Sequence, residues 1–581
     1  MGIPSYFSYI VKNHPSVLKI YSPPNWLVDN LYMDCNSIIY DIIHANKDSL
    51  LLLESNDSHK MYSQIISLVI EKINYYIDFV SPSQNVFIAF DGVAPVAKLN
   101  QQRQRRYRTA YANEASGTGT ETGTETGTET ESINTTFITP GTHFMKQLNE
   151  KIAAYYSAPE YIKTKKYRQL ILSGSNKPGE GEHKIFQFIR DYPDYHKNTR
   201  TIIYGLDADL IMLCINHLDI TRHLFLYRET PAFISSMSQM IDPLKNYVID
   251  IAEFSQKIYL EMLGDTNTNN VIDVSDIKSL RFARDYIFLC FFLGNDFMPH
   301  FPALNIRTDG ISRLLDAYKE TQLGKGESES ESDGDVTTFL TDGDKVNWKN
   351  VRKLVAYLAE QENEFIKIEM FQRNKREFQL QKQSQSQSQS QSRLETESIP
   401  QIEREIEKYI DGPSQGWEYR YYKSLFNIKI DATRKKQICM NYIEGLEWNL
   451  VYYTRGCINW RWTYFYHYPP LLKDLLEFIP FFDLEPVMTT KNKNKNKPVT
   501  DLVQLCYVLP RKNLGFIPNQ NVVQTIQNKK INMQTKVNYL DKWYPEKAEL
   551  EWAFCKYLWE AHVLLPDIDL DELEEFVKLV I

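Results

Sequence analysis

Seven carboxylates stand in surroundings that suit chemistry: Asp34 in LYMDCN, Asp91 in AFDG, Glu180 and Glu182 in PGEGEHK, Asp207 and Asp209 in GLDADL, and Asp296 in LGNDF. Most follow an apolar run directly, so burial of that run as a strand would gather the acids at one edge of a sheet. A single Asp after a strand is ordinarily a helix cap or a turn residue. Five such placements in one chain are harder to dismiss. Carboxylates crowded into a small volume repel one another and stay ionised together only when cations neutralise them. Hard oxygen ligands at D-x-D and E-x-E spacing suit Mg²⁺ or Mn²⁺, and a pair of such ions is the usual apparatus of in-line phosphodiester hydrolysis. The acids alone therefore predict phosphoryl transfer or hydrolysis assisted by a divalent metal.

A second group of residues follows closely. In APVAKLNQQRQRRYRTA, Pro95 suits the first turn of a helix. Lys98, Gln102, Arg105 and Thr109 recur at i, i+4, i+7 and i+11, with Arg106 beside that face. Two guanidiniums, an ammonium and an amide on one face make a pocket for a phosphate carrying more than one negative charge, such as a terminal monophosphate. Taken alone, a basic helix is as often a solvated face. Here it starts within a few residues of Asp91, so charge clamp and metal site are expected to be neighbours. A third feature is CINWRWTYFYHYPP from Cys457. Aromatic faces stack on any base and grip single strands without reading sequence. Most of these rings are expected in the core, with Trp460 the exposed one.

The elements that must position these groups read as an α/β domain. Short apolar runs alternate with longer amphipathic stretches up to about residue 322, and the candidate strands are NLYMD, NVFIAFD, QLILSG and TIIYGLD. Open α/β sheets with a central, largely parallel sheet gather ligands at the carboxyl ends of their strands. Residues 1–322 are thus expected to form the catalytic domain, with a low-complexity insertion at 116–132. Residues 323–400 read as a linker of low-complexity tracts around one helix-rich piece, and 401–581 as a second, helix-rich and aromatic region.

The 581 residues include 43% hydrophobic and 13% aromatic residues, which excludes a disordered or fibrous chain. The net charge of −8 argues at first against nucleic acid as a partner. Nine of the acids, however, lie in GTGTETGTETGTETES and GESESESDGD, and without them the charge is +1. The window 92–113 holds five basic residues and no acid. Seven scattered cysteines without a CxxC pair speak against a zinc ribbon and fit a reducing compartment. The opening MGIPSYFSYIVKNHP has no signal-peptide pattern and no apolar run is long enough for a membrane span, so a soluble, intracellular protein is expected.

With these residues in view, the chain resembles the XRN family of 5′→3′ exoribonucleases. MGIPSYF, DCNSIIY, FDGVAPVAKLNQQRQRRYR, FITPGTHFM, SGSNKPGEGEHKI, YGLDADLIML and FLGNDFMPHFP resemble successive family motifs, in family order. YIEGLEWNLVYYTRGCINWRWTYFYHYPP, LVQLCYVLP, WYPEK and LLP are similar to the family's second conserved region. The resemblance implies a PIN/flap-nuclease-like α/β domain braced by that second region. It also implies processive 5′→3′ hydrolysis of single-stranded RNA bearing a 5′ monophosphate to nucleoside 5′-monophosphates. By motif match, Asp34, Asp91, Glu180, Glu182, Asp207, Asp209 and Asp296 are the catalytic set holding two Mg²⁺ ions, with Mn²⁺ an alternative. Lys98, Gln102, Arg105 and Arg106 match the 5′-phosphate pocket, and Trp460 a ring on the RNA. Tyr40 stands where the family usually has a His that stacks on the 5′ base; Tyr keeps the stacking and not the titration. Val96 and Gln104 replace Arg and Gly in the basic helix. The long C-terminal extension of the cytoplasmic branch is absent from this sequence, as is the Cys/His knuckle of some nuclear members.

A monomer is expected, acting in the cytoplasm, since KNKNKNK alternates with Asn rather than clustering as an import signal does; a nuclear site stays open. Two other readings stay open as well. A structure-selective flap-type endonuclease on DNA or RNA uses a similar acidic site and would cut once at a duplex junction. A non-catalytic RNA-binding scaffold would have little reason to keep all seven acids.

Overall fold

The computed structural model describes residues 5–23, 26–54, 58–115, 133–229, 242, 245–264, 276–323, 338–386, 404–427, 429–481, 496–527 and 538–581. The Gly117 and Gly326 tracts, and most of those from Ser384 and Lys491, lie outside the described residues. Seven strands carry the central sheet: β1 (Leu18–Ile20), β2 (Asn30–Asp34), β3 (Asn85–Ala89), β4 (Gln169–Ser173), β5 (Arg200–Tyr204), β6 (His223–Tyr227) and β7 (Tyr247–Asp250). The α/β expectation holds, with a mostly parallel sheet. All four expected strands form. Every residue of β2 and β3 is buried, which is why they read as unbroken apolar runs rather than alternating ones. β1, β6 and β7 were not anticipated: β1 and β7 are three and four residues long, too short for a period to show.

The chain divides into two compact units that interleave along the sequence. One comprises Met1–Tyr32, Ile185–Ser386 and Glu405–Asn496, the other Met33–Lys184, Gln387–Arg404 and Lys497–Ile581. These divisions differ from the boundaries expected at 322 and 400, because the units form by packing between distant stretches of chain, which no shift in composition marks.

In the first unit β5 and β6 run parallel, with Arg200 opposite His223 and Tyr204 opposite Tyr227, while β7 runs antiparallel to both β6 and β1. Within the stretch expected as a linker, Trp348–Ser386 is a single helix of 39 residues. Trp348, Val351, Leu354, Val355 and Leu358 are buried, which makes its first turns a core element rather than a spacer. Glu362 on this helix accepts hydrogen bonds from the Leu472 and Lys473 N–H groups, capping the helix Leu472–Phe478.

In the second unit β3 and β4 run parallel, Asn85 opposite Gln169 and Ala89 opposite Ser173. The helix Ser58–Val80 buries Met61, Ile65, Ile66, Val69, Ile73, Tyr76, Ile77 and Val80, the stripe expected of a helix lying on a core. Val93, Ala94 and Leu99, around the start of the helix Val96–Ala115, share a core with Val503 and Leu505 of the helix Asp501–Val508 and Leu573 and Phe576 of the helix Leu570–Val580. The C-terminal stretch thereby carries the basic helix. Among the described residues no helix is long and apolar enough to cross a membrane.

Candidate active site

Four of the seven acids come together in the second unit through the ends of three elements. Asp34 is the last residue of β2, and the Cys35 N–H donates to the Ala89 carbonyl (2.9 Å). The Phe90 N–H donates to the Ser173 carbonyl (2.9 Å), extending the β3–β4 ladder to the threshold of Asp91. The AFDG and PGEG turns then clasp each other, Gly92 N–H to the Gly179 carbonyl (2.9 Å) and Gly179 N–H to the Val93 carbonyl (2.8 Å). This clasp explains the glycines. A Cβ on Gly92 would run into the Lys177 carbonyl, and one on Gly181 into the Asp34 carboxylate.

Oxygens of Asp34, Asp91 and Glu182 lie within 4.8 Å of one another, and Glu180, Glu182 and His183 form a second overlapping group of the same reach. Asp34, Glu180 and Glu182 are each at most 5% exposed. Burial, followed by the charge of Glu180, raises the pKa of Asp91; the Gly181 N–H, Lys98 and Lys184 oppose that rise. Burial with Glu180 and Asp34 drives Glu182 well above the ordinary carboxylate range. This is the signature of an anionic nest that wants cations. The donors are chiefly hard carboxylate oxygens, a set that could hold a divalent cation.

Other side chains set these acids in place. Asn36 grips Asp91 from two sides, and the Gly181 N–H donates to Asp91 Oδ1 (2.7 Å). Lys184 Nζ donates to the Phe90 carbonyl (2.7 Å) and the Gly174 carbonyl (3.0 Å), tying the ends of β3 and β4; burial lowers its pKa to about 8. Sequence reasoning missed Asn36, Lys184 and His183. His183 was visible as the last member of an E-x-E-H run, whereas the other two had no spacing to announce them.

The basic helix divides into two faces. Lys98 Nζ lies 2.5 Å from Glu180 Oε2, so the helix begins at the acid cluster. Gln102 is buried and accepts from Arg106 (3.4 Å), whose other terminal nitrogen donates to Thr139 Oγ1 (2.7 Å). Burial and the neighbouring Arg105 lower the Arg106 pKa to about 10, and Tyr40, on the helix Asn36–Ala45, is close enough to raise it in part. Arg105 and Tyr40 are half-buried. The opposite face is architectural. Arg103 donates to the Pro566 carbonyl (2.9 Å) and the Trp543 carbonyl (3.0 Å), Arg108 to the Ala561 carbonyl (2.7 Å), and Gln104 exchanges two hydrogen bonds with Val563. Gln104 is therefore a structural residue of this helix, and Val96 is buried.

Asp207, Asp209 and Asp296 belong to the other unit. Asp207 follows β5 and acts on half-buried Arg228, whose pKa desolvation brings down to about 10. Asp209 opens the helix Asp209–Asn216 and is 5% exposed. Asp296 sits in a turn closed by Asn295, whose Oδ1 accepts from the Phe297 and Met298 N–H groups while its amide donates to Asn449 (2.7 Å). Asn449 lies on the helix Ala432–Thr454, so the second aromatic region braces this turn. Gly294 before it, at φ +80°, meets the His300 backbone where a Cβ would sit.

The aromatic loop is less buried than expected: Trp462, Tyr464 and Tyr468 are in the core, whereas Trp460, Tyr466 and His467 are half-buried and Phe465 is exposed. Trp462 stacks on Trp448 (ring centroids 4.9 Å apart, 25°) and Trp448 on Tyr452 (4.6 Å, 19°). Trp460 is half-buried, its N–H donating to Asn496 (2.9 Å). The ring that stands out is Phe465, 75% exposed, a correction to the choice of Trp460. The loop turns at Asn459, whose side chain accepts from the Arg461 and Trp462 N–H groups, and no periodicity reports such a turn.

The family model described as XRN 5′-3′ exonuclease N-terminus matches residues 1–230, and that described as Xrn1 helical domain matches 277–411 and 409–580. The chain belongs to the XRN family. Among curated relatives, 5′-3′ exoribonuclease 1 of Saccharomyces cerevisiae is 27% identical over 100% of this chain and 43% of its own length. The protein of the same name from Schizosaccharomyces pombe is 28% identical over 98% of this chain and 48% of its own length. The human 5′-3′ exoribonuclease 1 is 29% identical over 100% of this chain and 34% of its own length. This XRN chain thus spans less than half the length of these three relatives.

Proposed function

We propose that this protein is a metal-dependent 5′→3′ exoribonuclease that processively hydrolyses single-stranded RNA from a 5′ monophosphate. The observation that carries the reading is the Lys98–Glu180 contact, which joins a basic helix face to a cluster of buried acids. An enzyme that must recognise a terminal phosphate and cut the next bond needs these two features side by side. Family membership and the names of the relatives support the same reading.

In this reading Asp34, Asp91, Glu180 and Glu182 would hold divalent ions of the Mg²⁺ kind. Bound there, divalent ions supply charge neutralisation and a water activated at neutral pH. The chain's own part is positional. Asn36 and Gly181 fix the Asp91 carboxylate, so that its oxygens present one orientation. Lys98, held against Glu180, would offer its ammonium to the terminal phosphate. Arg106, held by Gln102 and Thr139, presents a fork that fits phosphate oxygens. Tyr40 offers a ring to the first base. A pocket of this kind admits a monophosphate and excludes a cap by bulk. We further propose that the protein acts as a monomer in the cytoplasm, which a tagged full chain imaged in cells would check.

The test is a time course on 5′-phosphorylated RNA with Mg²⁺ and with chelator. Release of nucleoside 5′-monophosphates from the 5′ end, abolished by chelator and by Asp91→Ala, is expected. A single cut at a duplex junction would favour the endonuclease reading instead, and binding without cleavage the scaffold.

A further inference from the structure

A second concentration of positive charge lies in the same unit. Residues 161–179 contain Lys163, Lys165, Lys166, Arg168 and Lys177 and no acid. Four of the five fall within 163–168, where the helix Pro159–Thr164 ends and the chain turns into β4. Lys163, Lys166 and Arg168 are exposed, and among the described residues none of the three forms an ion pair. Lys165 folds over Tyr167, its Nζ 5.5 Å from the ring centroid, and donates to the Arg168 carbonyl (3.0 Å). Glu160 opens the same helix and Asp78 lies near Tyr161, but four cations within 163–168 outnumber them, and such an excess of like charge points to an external anion.

Aromatic rings continue this patch. The Tyr167 and Tyr161 hydroxyls are 2.9 Å apart, and Tyr161 touches Tyr155 (centroids 5.3 Å). The Tyr155 hydroxyl accepts from Asn74 (2.9 Å). Next to Asn74, Tyr75 stacks on Phe79 (6.0 Å, 8°) with Lys72 Nζ 5.1 Å from its centroid. Tyr75 is 50% and Tyr155 39% exposed. Partly exposed rings interleaved with cations are what a single-stranded nucleic acid requires, since bases stack on rings and phosphates meet the cations. An acidic peptide would answer the lysines and leave the rings unused.

The patch is separate from the acid cluster. Arg168 immediately precedes β4, whereas the turn to Glu180 leaves its far end, and a five-residue strand is about 17 Å long. We propose that the face formed by Tyr75, Tyr155, Lys163, Lys166 and Arg168 is a second binding site for single-stranded RNA, engaging nucleotides away from the 5′ end. The choice of RNA as the polyanion rests on the proposed function.

Fluorescence anisotropy with labelled oligouridine carrying a 5′ hydroxyl, in chelator and across a salt series, tests the site without cleavage. Two variants are compared with the parent, each checked for an unchanged Tm. Replacing Lys163, Lys166 and Arg168 by Gln together should weaken binding about tenfold and flatten the slope of log K against log salt by about 2, three phosphate contacts at ~0.7 each. Tyr75→Ala with Tyr155→Ala should weaken binding at least about fivefold with the slope kept, because stacking is sequence- and salt-tolerant. Crosslinking of 4-thiouridine RNA to peptides containing Tyr75 or Tyr155 in the parent provides a readout that needs no variant. Cleavage of a 5′-phosphorylated dinucleotide, too short to reach the patch, should be unchanged in both variants. Failure of the parent to cleave the dinucleotide would count against the exonuclease reading and leave the binding result standing. Unchanged affinity and slope in both variants, or binding of a polyglutamate peptide in place of RNA, would overturn the proposal.

Discussion

Asn36 and Asp91, 55 residues apart in sequence, hold each other through two hydrogen bonds: the Asn36 amide donates to Asp91 Oδ2 (2.8 Å) and its carbonyl oxygen accepts from the Asp91 N–H (3.0 Å). Asp91 thus has its backbone and its carboxylate fixed by one neighbour that is not itself an acid. Supporting partners of this kind typically contribute 10- to 100-fold to the function of the ligand they orient. Asn36→Ala is expected to lower single-turnover cleavage by roughly that factor with little change in Tm. Full activity in the variant would remove Asn36 from the account.

Gly181 packs against the Asp34 carboxylate where any Cβ would sit. Gly181→Ala should therefore displace Asp34 and cut activity far more than stability, for which overpacking of this size is worth about 1–3 kcal/mol. Chemical denaturation alongside the rate separates the two effects, and a proportionate loss of both would argue against a local displacement.

The two faces of the basic helix predict opposite phenotypes from similar substitutions. Arg103→Ala strands the Trp543 and Pro566 carbonyls and should destabilise the fold by about 2–4 kcal/mol while leaving the choice of 5′ end intact. Arg106→Ala should lower kcat/KM on 5′-phosphorylated RNA by about 10- to 100-fold, the worth of one charge-assisted hydrogen bond, with a smaller effect on stability. Reversal of the two outcomes would mean the faces are misassigned.

The acid cluster makes the metal-free protein sensitive to pH. Asp91 and Glu182 have raised pKa values in the folded state, so protons bind more tightly to the folded than to the unfolded chain. Their contribution to stability is fully present below the ordinary carboxylate range and is lost as pH rises through the raised values. A divalent ion bound by the cluster would replace those protons, and its stabilisation would grow with pH. Melting curves in chelator should show Tm falling from mildly acidic to neutral pH, and Mg²⁺ should raise Tm more at neutral than at acidic pH. An Mg²⁺ effect independent of pH would contradict this.

Much of this was legible in the sequence where burial and chemistry coincide. NLYMD, NVFIAFD, QLILSG and TIIYGLD announced both a strand and what its end would carry, because a fully buried strand leaves a continuous apolar run. The basic helix was legible from Pro95 and its i, i+4, i+7 spacing. What the spacing could not separate was Arg106, facing Thr139, from Arg103, facing the C-terminal stretch, since the partners of both are distant in sequence. Trp460 and Phe465 were misjudged for a similar reason: exposure depends on how the loop turns at Asn459. The cations of 163–168 escaped notice because their helix is short and their meaning depends on Tyr75 and Tyr155 of other helices.

The central claim is that the basic face beside the acid cluster reads a terminal phosphate. Its most direct test is kcat/KM, with Mg²⁺, on one RNA sequence bearing a 5′ monophosphate or a 5′ hydroxyl. The account predicts a strong preference for the monophosphate that collapses in Arg106→Ala. Equal rates on the two ends in the parent protein would contradict it.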